Sequence, residues 1–308
     1  MSKIKTMLQL SKSPRKWIIP LAEKGLFRWM DDERYIKMLS KCVTGKEINL
    51  NDPKTFTEKI QWLKLHDHQE RYIGMVDKIL AKDYVGRLIG EEYIIPTLGV
   101  WETIDDIQLD LLPSKFVLKC NHDSGSVVIC RNKESFDFAA AKKKLARCLE
   151  KDAFTWGREW PYKHVSKKVF AEELLEYSNA QEEDLIDYKM YCFGGNPKYC
   201  QVISERTTSE KIDFYDLEWN HQPFIGLTAI GIGTDVKNSE KEIAKPESLT
   251  QMIEIAEILS KGLAFCRVDF YDIQGKLYFG EITLYPNAGF GEFLPLEWNR
   301  KLGDLIEL

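Results

Sequence analysis

Apolar residues recur at helical spacing through the first third of the chain and follow strand-like runs through most of the rest. Helices are predicted over 31–43 and 55–65. The second opens on Thr55-Phe56-Thr57-Glu58, a capping-box string, then sets Phe56, Ile60 and Leu63 on one face. Another is predicted over 76–89, ended by Gly90 and followed by the short apolar stretch Tyr93-Ile94-Ile95-Pro96. Strands are expected at 116–120, 126–130, 169–175, 186–193, 199–204 and 211–215, with helices over 135–150 and 247–261. Two further strands, 264–271 and 277–284, are joined by a turn at Gln274-Gly275. No repeat or low-complexity linker interrupts the pattern. It defines an α+β chain with a helical N-terminal third, and a boundary falls near 95–115 or 165–175.

The chain has 308 residues, 44% apolar and 30% charged, enough for a large core without disulfides or metals. Its formal charge of −5 excludes a general nucleic-acid coating protein. Seven scattered cysteines with no Cys-x-x-Cys pair read as reduced core thiols, not a disulfide framework or zinc site. No apolar run approaches the ~20 residues of a membrane span. A cytoplasmic protein is expected. Charge is uneven: residues 1–28 carry seven basic side chains against Glu23, leaving the remainder at −11. This basic arm, interleaved with Trp17, Ile18, Ile19, Leu21 and Phe27, suits the anionic inner face of a membrane. A solvated segment packed by its aromatics gives the same string.

Three segments carry candidate chemistry. In Phe116-Val117-Leu118-Lys119-Cys120-Asn121-His122-Asp123-Ser124-Gly125-Ser126, an apolar strand delivers one lysine and then a Gly/Ser loop. Backbone N–H groups of such a loop, at Ser124, Gly125 and Ser126, can form an anion nest, with Lys119 as the point charge and His122 as a further donor. A polar hairpin with a snorkelling lysine is the alternative. In Cys266-Arg267-Val268-Asp269-Phe270-Tyr271 and Leu277-Tyr278-Phe279-Gly280-Glu281-Ile282-Thr283, period two puts Arg267 with Asp269, and Glu281 with Thr283, on one face. If Tyr271 opposes Leu277, Arg267 opposes Glu281 and Asp269 lies diagonal to it. Two carboxylates and a hydroxyl on one sheet face suit Mg²⁺, with the arginine left for phosphate. An exposed cross-strand ion pair is the plainer reading. The third segment, 169–175 followed by Asp187-Tyr188-Lys189, offers a backbone edge for a planar base and a carboxylate for ribose; a solvated strand end reads the same way.

Taken in order, these segments resemble an ATP-grasp enzyme, in which two α+β subdomains clamp ATP. The closer resemblance is to the TupA-like ATP-grasp family, named for teichuronopeptide biosynthesis. It is carried by 50–64 (LNDPKTFTEKIQWLK), 90–101 (GEEYIIPTLGVW), Asp187-Tyr188-Lys189 and Phe279-Gly280-Glu281-Ile282-Thr283-Leu284-Tyr285-Pro286. It implies a basic arm and helical region at 1–75, then an ATP-grasp region at 76–308, with the ATP-binding subdomain at about 113–175 and a metal and phosphate subdomain at about 176–308. By the same resemblance Lys78 and Lys119 bind phosphate, the loop Ser124, Gly125 and Ser126 covers it, and Glu172, Glu173 and Leu175 form the adenine hinge. Asp187 is implied for ribose, Arg267 and Lys119 for catalysis, and Asp269, Glu281 and Thr283 for Mg²⁺. Two positions depart from the pattern: Thr283 stands where many such enzymes carry Asn, with Asn287 expected to compensate, and Cys120 stands where Pro often follows the lysine.

The resemblance implies a carboxylate–amine ligase that passes the γ-phosphoryl of ATP to a carboxylate and then lets an amine attack the acyl phosphate. The implied partners are a uronic-acid polysaccharide or its lipid-linked precursor and an amino acid or amine. Arg158, Tyr162 and Arg206 are candidates for the acceptor carboxylate. Glycosyl transfer and a non-catalytic nucleotide-binding scaffold are the competing classes; the first is disfavoured by the lack of any Asp-x-Asp, the second by the retained phosphate-end charges.

Overall fold

The computed structural model describes residues 15–176, 185–205, 208–228 and 237–308. Helix α1 (Arg15–Glu23) precedes α2 (Asp32–Thr44), which starts where the Asp31 carboxylate accepts the Arg34 N–H and stops at Gly45, in the left-handed region at φ 80°. Helix α3 (Phe56–His66) opens with the expected capping box: the Thr55 hydroxyl accepts the Glu58 N–H at 3.3 Å and the Glu58 carboxylate accepts the Thr55 N–H at 3.0 Å.

The helix expected over 76–89 begins only at Leu80, as α5 (Leu80–Ile89), and an unexpected short helix, α4 (Arg71–Val76), precedes it. Between them the Asp77 carboxylate accepts the N–H groups of Ile79 and Leu80 at 2.8 and 3.2 Å and ends one helix while starting the next. This break turns Lys78 toward the second strand's loop, whose Asn121 carbonyl accepts the Lys78 N–H.

Strands β1 (Thr97–Trp101), β2 (Phe116–Cys120), β3 (Val128–Cys130) and β4 (Val169–Glu172) form an antiparallel sheet in the order β1-β4-β2-β3. Helix α6 (Phe138–Glu150) covers it, burying Leu145 and Cys148 against Phe116, Leu118, Val169 and Ala171. The strand expected at 126–130 begins only at Val128, because the buried Ser126 hydroxyl turns in to accept the Cys120 N–H at 2.7 Å. A short α7 (Ala153–Gly157) follows α6.

Farther along lie β5 (Asp187–Phe193), β6 (Asn196–Ser204), β7 (Lys211–Tyr215), β8 (Ile225–Thr228), α8 (Leu249–Ser260), β9 (Phe265–Ile273), β10 (Lys276–Thr283), β11 (Glu292–Leu294) and α9 (Glu297–Asp304). Five strands make an antiparallel sheet ordered β10-β9-β5-β6-β7, and β8 pairs with β11. Helix α8 packs on one face of the large sheet; α3, α4 and α5 enter the same core. There the fully buried Phe56 ring meets Phe193, Phe265 and Phe293 edge-on at 5.0–6.4 Å. A third cluster joins Tyr35, Ile36, Leu39 and Val43 of α2 to Ala288 and Phe290. Sequence pattern thus missed α1, α4, β1, α7, β8, β11 and α9, all of them short beside the windows over which periodicity is read.

One register expectation is corrected. Tyr271 pairs with Tyr278 rather than Leu277, and beyond Phe279 a bulge at Gly280 shifts the ladder, so Glu281 opposes Asp269 and Thr283 opposes Arg267. Without the extra residue, Glu281 would oppose Val268 and point to its buried face. A side chain at 280 would meet the Asp269 carbonyl at 3.1 Å, so glycine suits the bulge.

Replacing Phe56 by Ala removes the ring that joins α3 to the large sheet. A loss of ~3–5 kcal/mol is expected, read as a lowered urea midpoint.

Candidate active site

Between the two sheets lies an open cavity of about 830 Å³. Among the residues singled out in the sequence, it brings together Lys78, Ser124, Gly125, Arg267, Glu281, Thr283 and Asn287, with Tyr162 and His122 on its wall. Lys119, Ser126, Glu172, Glu173, Leu175, Asp187 and Asp269 do not line it.

The β9–β10 face is a charge cluster. Arg267 donates to both Asp269 oxygens at 2.6 Å, to Glu281 Oε1 at 3.2 Å and to Thr283 Oγ1 at 3.0 Å. Lys189, opposite Asp269 on β5, donates to the same Asp269 carboxylate and stands 4.0 Å from Asp187 Oδ2. Lys78 Nζ donates to the Asp123 carbonyl at 2.7 Å and lies 3.5 Å from Glu281 Oε2. Burial alone would raise the Glu281 pKa, but Lys78, Arg267, Lys189 and Lys119 together pull it down to about 2. Glu281 is therefore a carboxylate under all ordinary conditions.

A second cluster joins the small sheet to α5. Glu172, buried on β4, takes Lys119 of β2 on one oxygen and Lys82 of α5 on the other, the latter at 2.6 Å. Lys82 also donates to the Ile95 carbonyl at 2.8 Å. Burial lowers its pKa, opposed by the Glu172 charge. Glu173 is exposed, with its N–H on the Pro96 carbonyl at 3.0 Å, and the half-buried Leu175 follows in the loop after β4.

Other candidates divide clearly. Arg158, left-handed at φ 52°, is buried and spent on structure: it donates to Asp32 Oδ1 at 3.1 Å and the Phe27 carbonyl at 2.8 Å, and its guanidinium stacks 4.3 Å from the Tyr35 ring. Asn287, also left-handed at φ 50°, sits on the cavity wall in the turn Pro286–Gly289. Burial lowers the His122 pKa. His68 stacks on Trp160 at 5.0 Å. Arg206 and the first fourteen residues of the basic arm lie outside the described residues, whereas Glu23, Lys24 and Arg28 form part of the cavity rim. No helix among the described residues is long and apolar enough to cross a membrane.

Sequence reasoning missed Lys82, Lys64 and Glu159, and gave Lys189 no role. Lys64 carried a signal, since it falls four residues after Ile60 on the apolar face of α3. It is buried, donating to the carbonyls of Gly157 and Ala288, the latter at 2.7 Å. Glu159 lines the cavity beside Tyr162.

Two antiparallel sheets with a lysine- and carboxylate-lined cleft between them are the architecture of an ATP-grasp protein. The profile of the TupA-like ATPgrasp family matches residues 58–307, and the chain belongs to that family. No curated protein matches it. Among solved structures, a D-alanine–D-alanine ligase from Bacillus anthracis complexed with ATP is 18% identical over 68% of this chain and 53% of its own, at a TM-score of 0.37. A D-alanine–D-alanine ligase from Helicobacter pylori is 12% identical over 83% of this chain and 70% of its own, at 0.41. The ATP-grasp ligase PsnB complexed with minimal precursor is 9% identical over 70% and 54%, at 0.37. The chain thus spans only about half the length of the first of these.

Because the Glu281 pKa lies below its ordinary 4.5, the ionised group stabilises the fold above that pH, and the contribution is lost as pH falls toward 2. Glu281→Gln should be less stable than wild type at neutral pH, the two urea midpoints converging in acid.

Proposed function

We propose that the protein is an ATP- and Mg²⁺-dependent carboxylate–amine ligase that works through an acyl phosphate. The supporting observation is the convergence of Lys78, Arg267, Glu281 and the Ser124-Gly125 loop on one cavity wall. In this reading Glu172, Glu173, Leu175 and Asp187 hold the nucleoside end of ATP, and Lys78, Lys119, Ser124, Gly125 and Arg267 serve its phosphates. Ser126 shapes the loop from behind. Glu281 and Asp269, with Thr283 and Asn287, are the residues for Mg²⁺.

The donor set fits that ion. Among the described residues no three His, Cys, Asp or Glu side chains gather into a ready-made metal cage. Mg²⁺ characteristically uses only one or two carboxylates together with substrate phosphates. Glu281 presents the more open carboxylate, since Asp269 is already held by Arg267 and Lys189. When bound, Mg²⁺ neutralises charge on the transferring phosphoryl group. Arg267 and Lys78 supply fixed positive charge at the same point, and Lys119 supplies more. The Ser124-Gly125 loop, exposed at the cavity, would close over the phosphates and exclude water.

The substrate reading is a uronic-acid carboxylate of a cell-surface polysaccharide or its lipid-linked precursor, joined to an amino acid or amine. The protein would act in the cytoplasm against the inner membrane face through residues 1–28. The exposed Leu26 and Trp29 lie in the stretch that supplies the cavity rim, as suits a substrate held at a bilayer.

Incubation with ATP, Mg²⁺, hydroxylamine and a panel of uronic acids tests the chemistry. Hydroxamate with ADP is expected, and Lys119→Ala should lower it about a hundredfold or more with the fold intact. Release of AMP would overturn the phosphoryl-transfer reading, and cleavage of a nucleotide sugar without ATP would favour glycosyl transfer. The membrane reading predicts that removing residues 1–14 weakens sedimentation with anionic but not neutral liposomes; equal sedimentation of both forms would overturn it.

A further inference from the structure

The same cavity is lined by Trp156, Tyr162 and Tyr285, with Glu159 among them. Glu159 differs from the other carboxylates nearby. Glu172 and Asp269 are each held by two cations, and Asp152 is taken up by Arg28 and Thr155. Both Asp123 oxygens are fully buried, although the residue also borders the cavity. The Glu159 carboxylate has no hydrogen-bond or ion-pair partner among the described residues, although the residue lines the cavity. Its position depends on a missing side chain: a Cβ at Gly157 would fall 2.5 Å from Glu159 Oε1. Beside it the Tyr285 hydroxyl is buried without a partner.

We propose that Glu159 receives the ammonium group of the amine co-substrate and takes a proton from it before attack on the activated carboxylate. A carboxylate inside an aromatic wall is the chemistry that recognises an ammonium ion, through charge and ring faces together. The proposal rests on the ligase reading. In the step, an ammonium N–H bond breaks and its proton passes to Glu159. The freed nitrogen pair forms the C–N bond, the C–O bond to phosphate breaks, and phosphate leaves with that electron pair and the second amine proton.

The groups facing Glu159 are Lys64 from α3, Lys78 from the break before α5, Glu281 from β10, and Tyr162 and Tyr285 from its own wall. Burial pushes its carboxyl above the usual range, opposed by Lys64 and Lys78 and reinforced by Glu281. A base works best with a pKa near the working pH, a condition Glu281 cannot meet.

Hydroxylamine separates this role from a structural one, because it is largely uncharged at neutral pH and needs no base. Wild type and Glu159→Gln are compared with ATP, Mg²⁺ and an accepted uronic acid, using either glycine or hydroxylamine as nucleophile. The variant should lose about a hundredfold with glycine and about tenfold or less with hydroxylamine. Its glycine rate should climb more steeply with pH than that of wild type, as free amine accumulates. Should the variant fail to fold, Glu159→Asp, which keeps the carboxylate but draws it back by one methylene, takes its place and should show the same selective loss with glycine. Isotope-edited infrared difference spectra of the chain alone give an independent readout, in which a carboxyl band titrating above the ordinary Glu range disappears in Glu159→Gln. Equal losses with both nucleophiles, or no loss with glycine, would overturn the assignment while leaving the ligase reading standing. Wild type that makes neither hydroxamate nor ADP would instead overturn the ligase reading.

Discussion

The Asp269 carboxylate, clamped between Arg267 and Lys189 on the face of the large sheet, is the interaction on which the site depends. It is buried, and removing either cation would leave charge uncompensated, at a cost of ~3–5 kcal/mol for a pair of this kind. Apolar residues would fill the same volume with less desolvation. What the ionic cluster provides is position. Arg267 is fixed so that one Nη2 reaches Asp269, Glu281 and Thr283 together, and the field of that cluster holds Glu281 ionised.

The cavity is assembled from chain segments far apart in sequence. The α4–α5 break contributes Lys78, the loop after β2 contributes Ser124 and Gly125, and β9–β10 contributes Arg267, Glu281 and Thr283. Each is held by a contact that reaches another segment: Asp77 to Asn121 at 2.8 Å, and Lys78 to the Asp123 carbonyl and, at 3.5 Å, to Glu281 Oε2; Lys64 of α3 adds bonds to the carbonyls of Gly157 and Ala288. Helices α3–α5 are therefore part of the site's frame, since they share the core of the large sheet. The small sheet is tied to this frame through Lys82 and Glu172.

Local rules were legible wherever partner and signal lie within a few residues. The Thr55–Glu58 box started α3 as read, and alternation placed Arg267, Asp269, Glu281 and Thr283 on one face, which the hydrogen bonds among them bear out. The long family strings pointed to the ATP-grasp class. The same rules failed at 76–89, where apolar spacing is continuous but Asp77 caps its own chain, and at 126–130, where Ser126 turns inward. Register was misplaced by one residue at the turn, where Ile273 and Lys276 pair directly across Gln274-Gly275, and by a second at the Gly280 bulge, which inserts a residue that no alternation reveals.

Sequence by itself determined the longer regular elements, the α+β class and the residue types gathered on β9 and β10, because each of these follows from spacing along one chain, while the family was legible only through the resemblance of its long strings. Tertiary structure alone decided which charges meet. Lys82 finds Glu172, Lys189 finds Asp269, Lys64 is buried beneath Gly157 and Ala288, and Arg158 is withdrawn from the cavity to Asp32 while Glu159, its neighbour, is left facing in. Those assignments depend on which segments pack together, and a buried charge takes its pKa and its role from neighbours a hundred residues away.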